Sequence, residues 1–483
     1  MRNPTIIQGG MGAGVSNWRL ARAVSTAGHL GVVSGTGIDA ILARRLQLGD
    51  PGGDMRRALA EFPFPEVAKR VLDRYFIDGG KPPDAPFKAN PVPSIAPSRH
   101  LLDLIVTANF VEVYLAKEGH DGLVGVNYLE KIQLPNVPSI YGAMLAGVDY
   151  VLMGAGIPRY IPGILDNYAA GRPAEMPIAV LDSNGAKTRF DPRQICGDEV
   201  PQLKRPQFLA IVASTTLAEM LMRKSTGEVN GFIIEGPTAG GHNAPPRGRV
   251  RLDETGQPVY GPRDVVDPAG FRALGLPFWF AGSYGNAEGL RRALEEGAAG
   301  IQVGTAFAYC DESGIAPELK HQVIRMVLEN RAKVVTDPVA SPTGFPLKLL
   351  LKPGTMKDPK QYAARNRICD MGYLRHAFTK EDGTIGWRCP SEPVGDFERK
   401  GGDLGETENR LCVCNGLMAT IGLGQVRKDG YHEPPLITSG DALPRIGRFL
   451  RDGATSYRAQ DVLDALLSNP RSDRHVDSSV HAV

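Results

Sequence analysis

Eight short, almost wholly apolar runs recur between Ile6 and Gly304, and each gives way to glycine or another small residue. They fall at residues 6–8, 31–35, 123–127, 150–154, 208–213, 231–235, 278–281 and 300–304. Segments with helical periodicity separate them, among them 18–27, 100–117, a helix from Thr215, and 287–296. Strands that are apolar along their whole length, rather than alternating, are expected of a parallel sheet covered on both faces. Eight such strands with crossover helices predict an α/β chain built as a (β/α)₈ barrel, better than an open doubly wound sheet. The 57 glycines suit the many tight strand-to-helix turns that this design needs.

The rhythm is broken twice. Residues 36–98 read as an inserted excursion, helical at first and proline-dense from 79 to 97. Ile178-Ala-Val-Leu-Asp-Ser reads as a small hairpin outside the main sheet. The barrel is assigned residues 1–345, an appended and mostly helical region residues 346–470, and a polar tail residues 471–483. The near balance of acids and bases, a net charge of +2, gives no nucleic-acid footprint. No apolar run is long enough to span a bilayer and no leader pattern opens the chain, so neither membrane nor export is expected. Six cysteines in 483 residues do not make a disulfide scaffold, and a reducing cytoplasm is the default.

The working face of such a barrel is the C-terminal end of its strands, and phosphate commonly binds after the seventh and eighth. Here those strands lead into Ala281-Gly-Ser-Tyr-Gly-Asn286 and Gly304-Thr305, small residues with free amides and two hydroxyls, an anion site without lysine. The sixth strand runs into Gly236-Pro-Thr-Ala-Gly-Gly-His242, where glycines let a flat ligand lie on backbone beside an imidazole. A histidine titrates near neutrality and serves as a base or an anion holder. The loop Gly9-Gly-Met-Gly-Ala-Gly14 lacks the G-x-G-x-x-G spacing of a dinucleotide fold and reads as a first-strand loop facing a ring.

Four motifs then carry a family resemblance. Pro4-Thr-Ile-Ile-Gln-Gly-Gly-Met, Ala239-Gly-Gly-His242, Phe280-Ala-Gly-Ser283 and Gly300-Ile-Gln-Val-Gly-Thr-Ala-Phe307, the last followed by Glu312-Ser313, resemble the nitronate monooxygenase family, formerly 2-nitropropane dioxygenase. Enoyl-acyl-carrier-protein reductase II is similar to that family. The resemblance implies a TIM barrel binding FMN non-covalently, with Gly10, Met11, Gly241, Gly282, Ser283, Gly304 and Thr305 on the flavin and His242 as the active-site imidazole. Gly12, Asn127 and Gly240 complete the expected cofactor-binding set. The implied activity is FMN-dependent oxidation of a nitronate or nitroalkane by O₂, giving a carbonyl compound and nitrite. The alternatives are an NAD(P)H-dependent flavin reductase acting on an enoyl thioester, and a flavin-binding partner subunit of a larger complex. A small-molecule substrate is expected, with a homo-oligomer and a carrier-protein-bound substrate both left open. The family places glutamate directly before Ala-Gly-Gly-His; here Pro237-Thr238 stands there and the glutamate is Glu235.

Cys369, Cys389, Cys412 and Cys414 lie in the appended region, beyond the resemblance. Four thiolates satisfy zinc or an iron–sulfur cluster, although no C-x₂-C pair is present, and buried thiols are the alternative. Cys196 and Cys310 read as unligated, Trp279 as packing, and Arg365-Asn-Arg367 as too small a basic cluster for nucleic acid.

Overall fold

The computed structural model describes residues 3–181, 185–451 and 453–468. The tail assigned to 471–483 lies outside these, as do Asp182 and Ser183 of the expected hairpin.

Eight parallel strands form one sheet: β1 (Ile6–Gln8), β2 (Gly31–Ser34), β3 (Val124–Leu129), β4 (Tyr150–Gly154), β5 (Gln207–Val212), β6 (Gly231–Glu235), β7 (Phe278–Ala281) and β8 (Gly300–Val303). Neighbours pair in sequence order, and β8 returns to β1 through Ile6↔Ile301. The remaining seam, between β1 and β2, closes at Ile7↔Leu30. Gln8 N–H donates to Leu30 O at 2.9 Å, and the buried Gln8 side chain accepts from Val32 N–H at 3.1 Å. A sheet joined at both edges is a barrel, as the eight-run pattern predicts.

The period of two along each strand sorts side chains into two cores. Ile7, Leu30, Val32, Leu152, Leu209, Ile233 and Trp279 fill the barrel. Ile6, Val33, Val126, Val151, Phe232 and Ile301 face outward into the helical layer. Trp279 is a packing residue: fully buried, its indole N–H donates to Pro4 O at 2.6 Å. Side-chain caps start several helices: Asn17 for Trp18–Thr26, Ser98 for Arg99–Lys117, Ser214 for Thr215–Lys224 and Asn286 for Ala287–Glu295. No helix among the described residues is long and apolar enough to cross a membrane.

Two stretches differ from the sequence reading. Around residue 178 the hairpin is formed by Ala174–Pro177 with Lys187–Phe190, while Val180–Leu181 leaves it and pairs in parallel with His376–Thr379. The region after 345 is less helical than expected, since it contributes the strands Leu347–Leu351, His376–Thr379 and Ile385–Arg388. Leu347–Leu351 pairs with Lys333–Asp337 on one side and with Gly241–His242 on the other. The later region is thereby woven into the mouth of the barrel.

Candidate functional site

A cavity of ≈ 230 Å³ opens at the C-terminal ends of the strands, and residues at or just beyond the ends of all eight line it. Every residue expected on the cofactor, Gly10, Met11, Gly12, Asn127, Gly240, Gly241, Gly282, Ser283, Gly304 and Thr305, stands in its wall, together with His242. They are separated by up to about 295 positions in the chain, and only barrel closure brings them to one place.

Local chemistry fixes these loops. The Ser16 hydroxyl donates to Gly9 O at 2.9 Å and accepts from Met11 N–H at 3.0 Å, pinning the first loop against β1. Gly10 is required there by space, because a Cβ would lie 2.4 Å from Asn127 Cβ. In the seventh loop, Gly282 (φ +91°) is followed by Ser283 (φ +61°), a left-handed turn that bares backbone amides. Thr305 Oγ accepts from Gly440 N–H at 3.0 Å, so a chain segment from the later region lies across the eighth loop.

Three buried polar atoms in the cavity wall have no protein partner: Asn127 Oδ1, Gln302 Oε1 and Ser439 Oγ. Buried polar groups are nearly always hydrogen-bonded, so these three mark where a polar ligand is met. Arg448 also lines the cavity, and its guanidinium donates to Gly285 O, at the loop expected to hold phosphate. The anion site thus has a cation after all, supplied from the far end of the chain. Glycine-lined loops, an arginine and unpartnered amide oxygens together suit FMN: phosphate at 282–285 and 304–305, a hydrogen-bonding ring edge near Asn127 and Gln302.

His242 is held at two points. Its backbone pairs with Leu347, and its Nε2 is hydrogen-bonded to Ser341 Oγ at 2.7 Å. Burial pushes the imidazole down to about 4, so at neutral pH it is uncharged, against the near-neutral titration expected from sequence. Glu235, at the end of β6 and also in the wall, moves the other way. Burial pushes its carboxyl up to about 8, only partly offset by a hydrogen bond from Asn243, so at neutral pH it keeps its proton. The pair at the cavity is a neutral base and a neutral acid.

Sequence reading did not place Glu235, Gln302, Ser341, Ser439 or Arg448 in the site. Two of them carry a local signal: a glutamate ending an apolar strand, and a glutamine inside Gly300-Ile-Gln-Val. The other three carry none.

Cys369, Cys389, Cys412 and Cys414 come together around a second, smaller cavity, and all are free thiols. Among the described residues no three His, Cys, Asp or Glu side chains are drawn close enough to hold one metal ion, so neither the zinc nor the iron–sulfur reading of these cysteines finds support. Cys196 and Cys310 lie elsewhere and donate to the carbonyls of Pro192 and Phe307.

Parts of the chain are similar to known proteins. Residues 187–342 match the family model for nitronate monooxygenase. The chain is 32% identical over 127 residues to a probable nitronate monooxygenase of Bacillus subtilis, covering 26% of this chain and 35% of that protein. It is 28% identical over 192 residues to a nitronate monooxygenase of Pseudomonas aeruginosa, covering 40% of this chain and 48% of that one. These matches therefore span less than half of either relative's own length. Among solved structures, FabK from Thermotoga maritima aligns with a TM-score of 0.47 and 17% identity, over 97% of this chain and 92% of that one. The likeness to the nitronate monooxygenase family model is confined to residues 187–342.

Proposed function

We propose that the chain is an FMN-dependent oxidoreductase that oxidises a nitronate to a carbonyl compound and nitrite with O₂. The observation that carries this reading is the convergence of all ten expected flavin residues and His242 on one cavity. When bound, FMN would supply the electron transfer and the reaction with oxygen, which no protein side chain provides.

The chain's own groups set which substrate fits. Gly282, Ser283, Gly304, Thr305 and Arg448 would hold the phosphate, while Asn127 and Gln302 would meet the polar edge of the ring. His242, neutral and fixed by Ser341, is a weak base, poorly matched to pulling a proton from carbon. The protonated Glu235 is a hydrogen-bond donor, and donors aimed at an anion in a water-poor site are strong. The combination favours a substrate that arrives already deprotonated, a nitronate, over the neutral nitroalkane. On this reading Glu235 steadies the anionic oxygen, and His242 orients it.

The test is a flavin titration followed by single-turnover reduction. Colourless protein that takes up FMN, turns over a nitronate at least tenfold faster than the parent nitroalkane, and releases nitrite would support the reading. Failure to bind FMN at saturating concentration would overturn it, and a preference for NAD(P)H plus an enoyl thioester would replace the activity while leaving the cofactor.

A further inference from the structure

The hydrogen bonds around His242 bear on which ring nitrogen carries the proton. Nε2 meets Ser341 Oγ at 2.7 Å, and Nδ1 has no partner among the described residues. Ser341 Oγ has two further neighbours: Thr343 N–H, which donates to it at 3.2 Å, and Thr343 Oγ1 at 2.8 Å. Thr343 Oγ1 in turn accepts from Phe345 N–H at 3.2 Å.

A serine hydroxyl has one proton and two lone pairs. The Thr343 amide takes one lone pair, so Ser341 donates to one of the His242 ring and the Thr343 hydroxyl and accepts from the other. In the first arrangement the Thr343 hydroxyl donates to Ser341, and Ser341 donates to Nε2. Every hydroxyl proton then has an acceptor, and the run from Phe345 N–H to the imidazole points one way. In the reverse arrangement Nε2–H donates to Ser341, and Ser341 to Thr343. Thr343 Oγ1 then accepts twice, and its own proton has no acceptor among the described residues. Leaving a polar hydrogen unpaired in a part-buried network is costly, which favours the first arrangement.

The relay is held in place from both ends. Ser341 is fully buried, and three successive carbonyls around it are tied to the later region. Ala340 O accepts from Leu411 N–H at 2.9 Å, Ser341 O from Arg410 Nη1 at 2.6 Å, and Pro342 O from His376 Nε2 at 2.7 Å. On the other side the backbone of His242 is registered against Leu347.

We propose that Ser341, directed by Thr343, is a positioning residue that fixes the tautomer of His242, with Nε2 accepting and Nδ1 carrying the proton presented to the ligand. The lone pair of the ring is then taken up by Ser341, so His242 is a donor to the ligand and not the base that takes a proton from carbon. Beside the protonated Glu235 the cavity holds two donors, which suit the two oxygens of a nitronate. That choice of ligand rests on the function proposed above; the tautomer does not.

The experiment is a two-bond proton–nitrogen correlation spectrum of full-length protein labelled with ¹⁵N-histidine, at neutral pH, before and after FMN is added. The chain has nine histidines, and the signal lost in His242→Ala identifies the ring. Nε2 is recognised as the nitrogen coupled to both ring C–H protons. The expected result for His242 is a pyridine-type shift at Nε2 and a pyrrole-type shift at Nδ1. His376, whose Nε2 donates to a carbonyl, supplies the opposite pattern in the same spectrum. A pyrrole-type Nε2 at His242 overturns the proposal and needs no variant to fold. Ser341→Ala should move the ring toward the Nε2–H form that histidine prefers in water, and slow flavin reduction by a nitronate about 10-fold, with FMN uptake kept. Ser341→Thr should restore both. Unchanged ring shifts in Ser341→Ala remove the serine from this role. Protein with the expected tautomer whose bound flavin no nitronate reduces upholds the assignment and strikes only the nitronate reading.

Discussion

Glu235→Gln isolates the effect of burying a carboxyl at the cavity. Burial moves that group from the ordinary 4.5 up to about 8, so the folded chain holds a proton that the unfolded chain releases between these values. The sign follows from proton binding: where the native state binds more protons, stability falls as pH rises, from about 4.5 until the folded group ionises near 8, and is flat above. A difference of about 3.5 in pKa, at about 1.4 kcal/mol each, is a total of about 5 kcal/mol, of which about 4 kcal/mol accrues between pH 5 and 9. Glutamine has the same shape and no proton to lose, so the variant lacks this slope. Unfolding entropy near 2.1 cal/mol/K per residue gives about 1 kcal/mol/K for 483 residues. The flavin-free variant should therefore match the wild type near pH 5 and gain about 4 °C in melting temperature over it at pH 9. Parallel melting curves across that range would refute a buried, protonated Glu235.

The same carboxyl shapes activity: nitronate turnover should decline above pH 8 as Glu235 becomes an anion, and below about pH 4 as His242 gains charge, with the upper limb absent in Glu235→Gln. His242→Ala should keep FMN and lose about 10- to 100-fold in the rate of reduction by a nitronate, the worth of one hydrogen bond to a charged group; unchanged single-turnover rates would remove the imidazole from the reaction. Arg448→Gln should weaken FMN by about 10- to 100-fold and leave riboflavin affinity alone, read by fluorescence titration. Gly282→Ala should cost about 1–3 kcal/mol of strain at its left-handed turn, where the new Cβ would also lie 2.8 Å from Thr238 Oγ, and should lower both melting temperature and FMN affinity.

The barrel was legible because its strands are buried on both faces, so that each reads as an unbroken apolar run: Gly-Val-Val-Ser in β2 and Phe-Trp-Phe-Ala in β7 are buried at every position. The glycine loops were legible for a related reason, since contact between backbone and ligand excludes side chains. What escaped was long-range. Leu347–Leu351 is interrupted by Lys348, which reads as a surface position. In the fold that lysine is buried, donating to Thr336 Oγ at 2.9 Å and paired with Asp441 at 2.8 Å, a partner 93 residues away. The strands His376–Thr379 and Ile385–Arg388 did leave a local mark, the turn residues Asp382-Gly383 between them.

The later region also explains why the two titratable groups at the cavity diverge. For both Glu235 and His242, loss of water is the leading cause of the shift. Tyr373, Leu374, Val413, Leu417, Ile446 and Phe449 of that region line the same cavity as the two groups. The same region supplies the strand that registers His242, the hydroxyl-bound amide of Gly440 at Thr305, and the guanidinium of Arg448. A carboxyl in such an enclosure must keep its proton and an imidazole must lose one, because either charge would be stranded. On the proposed reading, the later region that lines the cavity and the neutral Glu235 at the end of β6 serve the same site.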